Sequence, residues 1–113
     1  MATGLDWPAR YLAQLATQRR LSPHTVAAYG RDLAVLTRLC APAALETVDH
    51  AMIRRYAAKL HGEGLSPRTI ARLLSGWRGL YAYLAEHAGL ASNPVDGVRA
   101  PRRAKGLPKA PRQ

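Results

Sequence analysis

The sequence predicts an all-α protein of four main helices, on three observations. Apolar residues recur at three- and four-residue intervals through most of the chain, the spacing that lines one face of a helix. The string Leu-Ser-Pro occurs twice, at residues 21–23 and 65–67, each time directly ahead of such a run. A serine there can accept a hydrogen bond from an unpaired amide of the first turn, and proline at the first helical position gives up no bond. Helix stops close the later runs: Pro42, the His-Gly-Glu-Gly string at 61–64 and Gly89.

Taken in order, a first helix is expected over about residues 7–19, capped by Asp6, with Pro8 near its start and Trp7, Tyr11, Leu12 and Leu15 facing inward. Arg19 and Arg20 would close it at the negative end of the dipole. The second helix, over 23–40, turns Val26, Tyr29, Leu33, Leu36 and Cys40 inward and His24, Ala28, Arg31, Val35 and Arg38 outward, with Asp32 near the edge of the outer face. Residues 41–48 connect it to a third helix that Thr47 or Asp49 caps and that runs to about His61. Ile53, Tyr56, Ala57 and Leu60 face inward there, and Arg54, Arg55 and Lys59 read most simply as a solvated surface.

The fourth helix, from Pro67 to about Ala88, has the clearest division of faces. Ile70, Leu73, Leu74, Trp77, Leu80, Tyr81 and Leu84 make its inner face; Arg68, Arg72, Ser75 and Gly79 fall opposite, a stripe with two cations and no acid. Gly76 and Gly79 each cost about 1 kcal/mol relative to alanine inside a helix, so close approach of another helix or of a DNA backbone is expected there. Residues 90–98 read as a turn in which Ser92 or Asn93 starts a single helical turn at Pro94. From Arg99 the chain carries six cations, three prolines and no acid, the composition of an extended segment. The expected division is a helical domain over 1–98 and a basic linker over 99–113.

Bulk composition bounds the function. A chain of 113 residues, 48% hydrophobic, suffices for one modest core. Its formal charge of +10 points to a polyanionic partner, nucleic acid first and an anionic membrane second. No run approaches the roughly 18 apolar residues of a spanning helix, and the N-terminus lacks the basic-then-apolar order of a signal peptide; a soluble cytoplasmic protein is expected. The lone Cys40 lies on an apolar helix face and reads as an inert core thiol. His24, His50, His61 and His87 stand singly, acids are few and apart, and no phosphate-cradling glycine loop occurs. No catalytic residue, metal site or cofactor is therefore expected.

The repeated helix start fits two equivalent helices better than a solenoid, which needs three or more units at a period of about 40 to 47 residues. On the second of the two, cap, proline, Thr69 and the Arg68/Arg72 stripe converge on an anion-facing surface. Arginine can grip phosphate or a guanine edge bidentately, and a helix fits the major groove.

The strings LSPHTVAAYGRDL, GLSPRTIARLLSGWRGLYAYL and NPVDGVRAPRRAKGLPK, in that order, resemble the N-terminal core-binding domain of bacterial tyrosine recombinases of the XerC and XerD type, with an overall look closer to XerC. The resemblance covers nearly the whole chain. It implies a small orthogonal, SAM-like bundle of the phage-integrase N-terminal type with a basic extended C-terminal tail. Carried over by position, it implies double-stranded DNA contacts, at a recombination half-site, from His24, Thr25 and Arg31 on helix two and from Arg68, Thr69, Arg72 and Ser75 on helix four. Arg102, Arg103 and Lys105 would match the linker that crosses the DNA backbone. In that family a second domain supplies the tyrosine nucleophile, two arginines, a lysine and histidines. None of Tyr11, Tyr29, Tyr56, Tyr81 or Tyr83 matches the nucleophile, so this polypeptide is expected to bind DNA without cleaving it. It is expected to be monomeric alone, with partner recombinase subunits in a tetramer when full length. The competing readings are a helix-turn-helix regulator, with residues 61–64 as the turn and 67–81 as recognition helix, and a helical interaction module whose charge serves solubility.

Overall fold

Each of the four helices starts on a side-chain cap. Asp6 accepts the amide of Ala9 at 3.1 Å and Asp49 that of Met52 at 2.9 Å, while Ser22 accepts that of Thr25 at 3.2 Å and Ser66 that of Thr69 at 3.1 Å. The computed structural model describes residues 6–101. Among them it places α1 at Trp7–Thr17, α2 at Pro23–Cys40, α3 at His50–Gly62 and α4 at Pro67–His87, with a single 3-10 turn at Leu45–Thr47 and no strand. The all-α, four-helix expectation holds, and Asp49 rather than Thr47 is the cap of α3.

Two boundaries differ from the sequence reading. α1 stops at Thr17, short of Arg19 and Arg20, because the chain reverses there: Arg20 takes a positive φ of 55° and the Leu21 amide returns to the Leu15 carbonyl at 3.2 Å. Of the glycines at 62 and 64 only Gly64 uses the left-handed region, at φ 101°, whereas Gly62 is the last residue of α3.

α4 packs against each of the other three helices, and its inner face is the one the spacing predicted. Ile70, Trp77, Leu80, Tyr81 and Leu84 are fully buried. Two of these carry polar atoms, and both are satisfied from across the core: Trp77 Nε1 donates to the Asp32 carbonyl of α2 at 2.9 Å, and the Tyr81 hydroxyl donates to the Leu45 carbonyl at 2.8 Å. Burial of this kind pushes the Tyr81 hydroxyl pKa far up, since ionisation would put a charge where no water reaches it. α1 lies on α4 through aromatic contacts, with Trp7 edge-on to Tyr83 and Tyr11 tilted against it. Trp7 Nε1 donates to Glu46 at 2.9 Å, tying α1 to the 3-10 turn.

After α4, Gly89 turns the chain at φ 75°. Asn93 donates to the Arg78 carbonyl at 3.0 Å and accepts the Val95 amide at 3.0 Å, fixing a turn that buries Val95 and Val98 in the core. Cys40 is buried beside the Thr37 and Ala43 carbonyls, and burial raises its thiol pKa, as a core cysteine requires. Among the described residues no helix is long and apolar enough to cross a membrane, and no cluster of ligating side chains could hold a metal ion.

Candidate nucleic-acid interface

The two Leu-Ser-Pro helix starts are the same structure made twice. In each, the serine hydroxyl accepts the threonine amide three residues on and donates its own hydrogen to that threonine's Oγ1, at 3.0 Å from Ser22 to Thr25 and 3.1 Å from Ser66 to Thr69. His24 and Arg68 occupy matching positions between cap and threonine, and both are exposed. On α2, His24 and Arg31 lie seven residues apart along one exposed face; on α4, Arg68, Arg72 and Ser75 do the same. Thr25 is exposed and Thr69 half-buried.

Arg72 is not the isolated cation of an acid-free stripe. Its Nε and Nη2 donate to the two carboxylate oxygens of Asp32, at 3.3 and 2.9 Å, a fork-to-fork pair between α4 and α2. Asp32, expected near the outer edge of α2, is instead the one buried charged residue among those described, at 8% exposure. The reason is its double duty: its carboxylate takes Arg72 while its backbone carbonyl takes Trp77 from the same helix. The Arg72 side chain remains 62% exposed, with Nη1 directed away from the pair. The bond fixes the direction of the guanidinium, while Arg31, the sequence neighbour of Asp32, is exposed on α2. The first turns of α2 and α4 themselves share no hydrogen bond or ion pair among the described residues.

Gly79, the fourth member of the stripe on the wheel, is half-buried against α1. An added Cβ would collide with the Tyr11 hydroxyl and lie 3.4 Å from its Cζ. Of the two reasons open for this glycine, approach of another helix is the one realised. Val35, placed outward on α2, is half-buried against the core.

The acids explain why the outer cations carry net positive field. All seven carboxylates lie within the described residues. Asp6 and Asp49 cap helices, Glu46 holds Trp7 and Asp32 holds Arg72. Glu63 pairs with Lys59 at 3.3 Å, Asp96 with Arg78 at 3.7 Å, and Glu86 lies 4.0 Å from His87. Arg31 and Arg68 have no carboxylate within 4.0 Å among the described residues. Arg102, Arg103 and Lys105 lie outside those residues. The residue that sequence reasoning missed is Asp32, and its signal was present: it is the only acid on an otherwise basic helix.

The fold and this doubled helix start define a class. Residues 9–87 match the phage integrase N-terminal SAM-like domain, and the chain belongs to that family. Among curated relatives it is similar to tyrosine recombinase XerC of Ralstonia pickettii (strain 12J), 52% identical over 107 residues, which cover 90% of this chain and 33% of the relative. It is similar to tyrosine recombinase XerC 1 of Ralstonia nicotianae, 52% identical over 105 residues, 88% of this chain and 32% of the relative. Tyrosine recombinase XerC of Chromobacterium violaceum is 42% identical over 101 residues, 89% of this chain and 33% of the relative. The chain thus spans about a third of the length of the curated relatives it matches. No solved structure gives a significant match.

Proposed function

We propose that this chain is the DNA-binding part of a site-specific tyrosine recombinase and grips duplex DNA with the outer faces of α2 and α4. The observation that carries the reading is the pair of identical Ser-Pro-x-Thr helix starts, each on a helix that carries an exposed arginine with no carboxylate within 4.0 Å among the described residues, Arg31 on α2 and Arg68 on α4. Arg68 and Arg31 act as phosphate or base contacts, Thr25 and Thr69 as hydroxyl donors at the helix starts, and His24 and Ser75 as flanking polar contacts. Arg72 enters the groove already oriented by Asp32, which lowers the entropy lost on binding. Arg102, Arg103 and Lys105 extend the grip along the phosphate backbone.

In the larger protein of which such a domain forms a part, the reading implies strand exchange through a 3′-phosphotyrosyl intermediate in a tetramer on two sites, in the resolution of chromosome dimers. The domain itself positions DNA and performs no chemistry. A helix-turn-helix regulator would rely on α4 alone; the direct α2–α4 bond through Asp32 supports a surface made from both helices.

The test is duplex binding across salt concentration. The affinity should fall steeply, with a slope of about −0.9 for each phosphate neutralised, and the Arg31→Gln/Arg68→Gln variant should lose about two from that slope. Binding that is flat in salt, or a variant with the parent's slope, rejects the reading.

A further inference from the structure

We propose that a second phosphate-binding site of this DNA-binding surface lies in the cleft between α3 and residues 97–101, where His50, Arg54 and Arg99 hold a phosphodiester of the duplex. The inference rests on the function proposed above and extends it to α3, whose Arg54 the sequence reading left as plain surface, and to Arg99 at the start of the basic linker.

The cleft has a volume of about 440 Å³ and is walled by His50, Arg54 and Ala57 on one side and by Gly97, Val98 and Arg99 on the other. His50 and Arg54 are four residues apart and therefore stack on one face of α3. The opposite wall is held rather than loose. Gly97 turns the chain at φ 84°, and a Cβ there would sit 3.8 Å from His50 Cε1. Val98 is buried, with its amide on the Val95 carbonyl at 3.0 Å. Arg99 is thus delivered to the cleft by an anchored neighbour.

No acid lines this space. Asp49, the nearest in sequence, caps Met52 and lines the adjoining cleft instead, and Asp96 pairs with Arg78. None of His50, Arg54 and Arg99 has a carboxylate within 4.0 Å among the described residues. Two arginines and a histidine lining one cleft that no acid lines suit an oxyanion, which arginine takes bidentately. No phenylalanine, tyrosine or tryptophan lines the cleft to sandwich a base, so the cationic lining is assigned to the phosphate.

The experiment uses the 113-residue chain, with arginine Nε and histidine ring resonances followed by NMR, and the Arg54→Gln/Arg99→Gln variant, whose exposed positions leave the core untouched. Adding a duplex should shift the His50, Arg54 and Arg99 resonances, and the variant should lose about one to two from the salt slope of duplex binding. Inorganic phosphate should shift the same three resonances at higher concentration. A parent that binds duplex tightly, with a variant of identical slope, overturns this site and leaves the proposed function standing. Shifts with free phosphate but none with duplex show an anion site unconnected to DNA and also overturn it. A parent that binds no duplex overturns both.

Discussion

Gly76 and Gly79 sit one turn apart in the same helix, yet alanine should act on them in opposite directions. Either replacement removes the conformational freedom that glycine loses on folding, a gain of about 0.5–1 kcal/mol. At Gly76 the new methyl would lie 3.9 Å from Asp32 Cβ and 4.0 Å from Tyr29 Cδ1, ordinary van der Waals contact. Gly76→Ala should therefore stabilise the domain by nearly the whole propensity gain. At Gly79 the methyl would overlap the Tyr11 hydroxyl, and Tyr11 cannot swing clear without disturbing Tyr83, whose ring centroid is 5.5 Å away.

Overpacking of this kind costs about 1–3 kcal/mol, so after the propensity gain Gly79→Ala should be destabilising by about 0–2 kcal/mol. A domain of this size shifts in Tm by about 4–8 °C per kcal/mol, so the two variants should separate by several degrees in a thermal melt followed by circular dichroism. Tyr11→Phe removes the colliding oxygen and leaves Cζ at 3.4 Å, so in the Tyr11→Phe background Gly79→Ala should recover most of its loss. Two glycines that respond alike, or a Gly79→Ala defect indifferent to Tyr11→Phe, would refute the α1–α4 packing described above.

Three further outcomes follow from the polar contacts of the core. Asp32→Ala should lower stability by about 1 kcal/mol, the small value of a pair whose arginine is largely exposed. It should also raise affinity for random duplex, because removing the carboxylate that offsets Arg72 outweighs the ordering Asp32 supplies, measured by melting and by binding titration; no change in either would mean the Asp32–Arg72 pair is idle. Trp77→Phe keeps an aromatic core residue but removes the indole bond to the Asp32 carbonyl, which keeps only its helical partner, for a loss of about 0.5–1.5 kcal/mol on top of the lost packing; a variant as stable as the parent would contradict that bond. Tyr11, Tyr56 and Tyr81 all have hydroxyl pKa values raised first by burial. A raised pKa means the folded state holds its protons longer, so this part of the stability is complete below about pH 10, the unfolded value, and is lost as pH rises above it. The Cys40 thiol, also raised by burial, follows the same sign from its lower unfolded value of about 8.5, so melts from pH 7 to 11 should hold to about pH 8 and decline above it, first through Cys40 and then through the tyrosines, and a decline already evident at about pH 7.5 would point to another group.

The helices were legible in the sequence because their determinants are local. Asp6, Ser22, Asp49 and Ser66 cap within three residues, and the apolar spacing of α4 identified Trp77, Tyr81 and Leu84 as core without reference to any other helix. What the sequence left unread depends on partners far along the chain. The burial of Asp32 is set by Arg72 and Trp77, forty and more residues away, and the half-buried place of Gly79 by Tyr11 on α1. A helical wheel sees neither, since it has no neighbour in it. Arg54 read as plain surface for the same cause: only the return of residues 97–101 over α3 makes it one wall of a cleft.

The most direct measurement of the central claim is a chemical-shift map of the isotopically labelled chain with and without duplex DNA. The outer faces of α2 and α4 should respond together, with the largest shifts at His24, Thr25, Arg31, Arg68, Thr69 and Ser75 and at the Arg72 side chain. Shifts confined to one of the two helices, or gathered on α1 with α2 and α4 silent, would contradict the claim that paired helix starts form the DNA-binding surface.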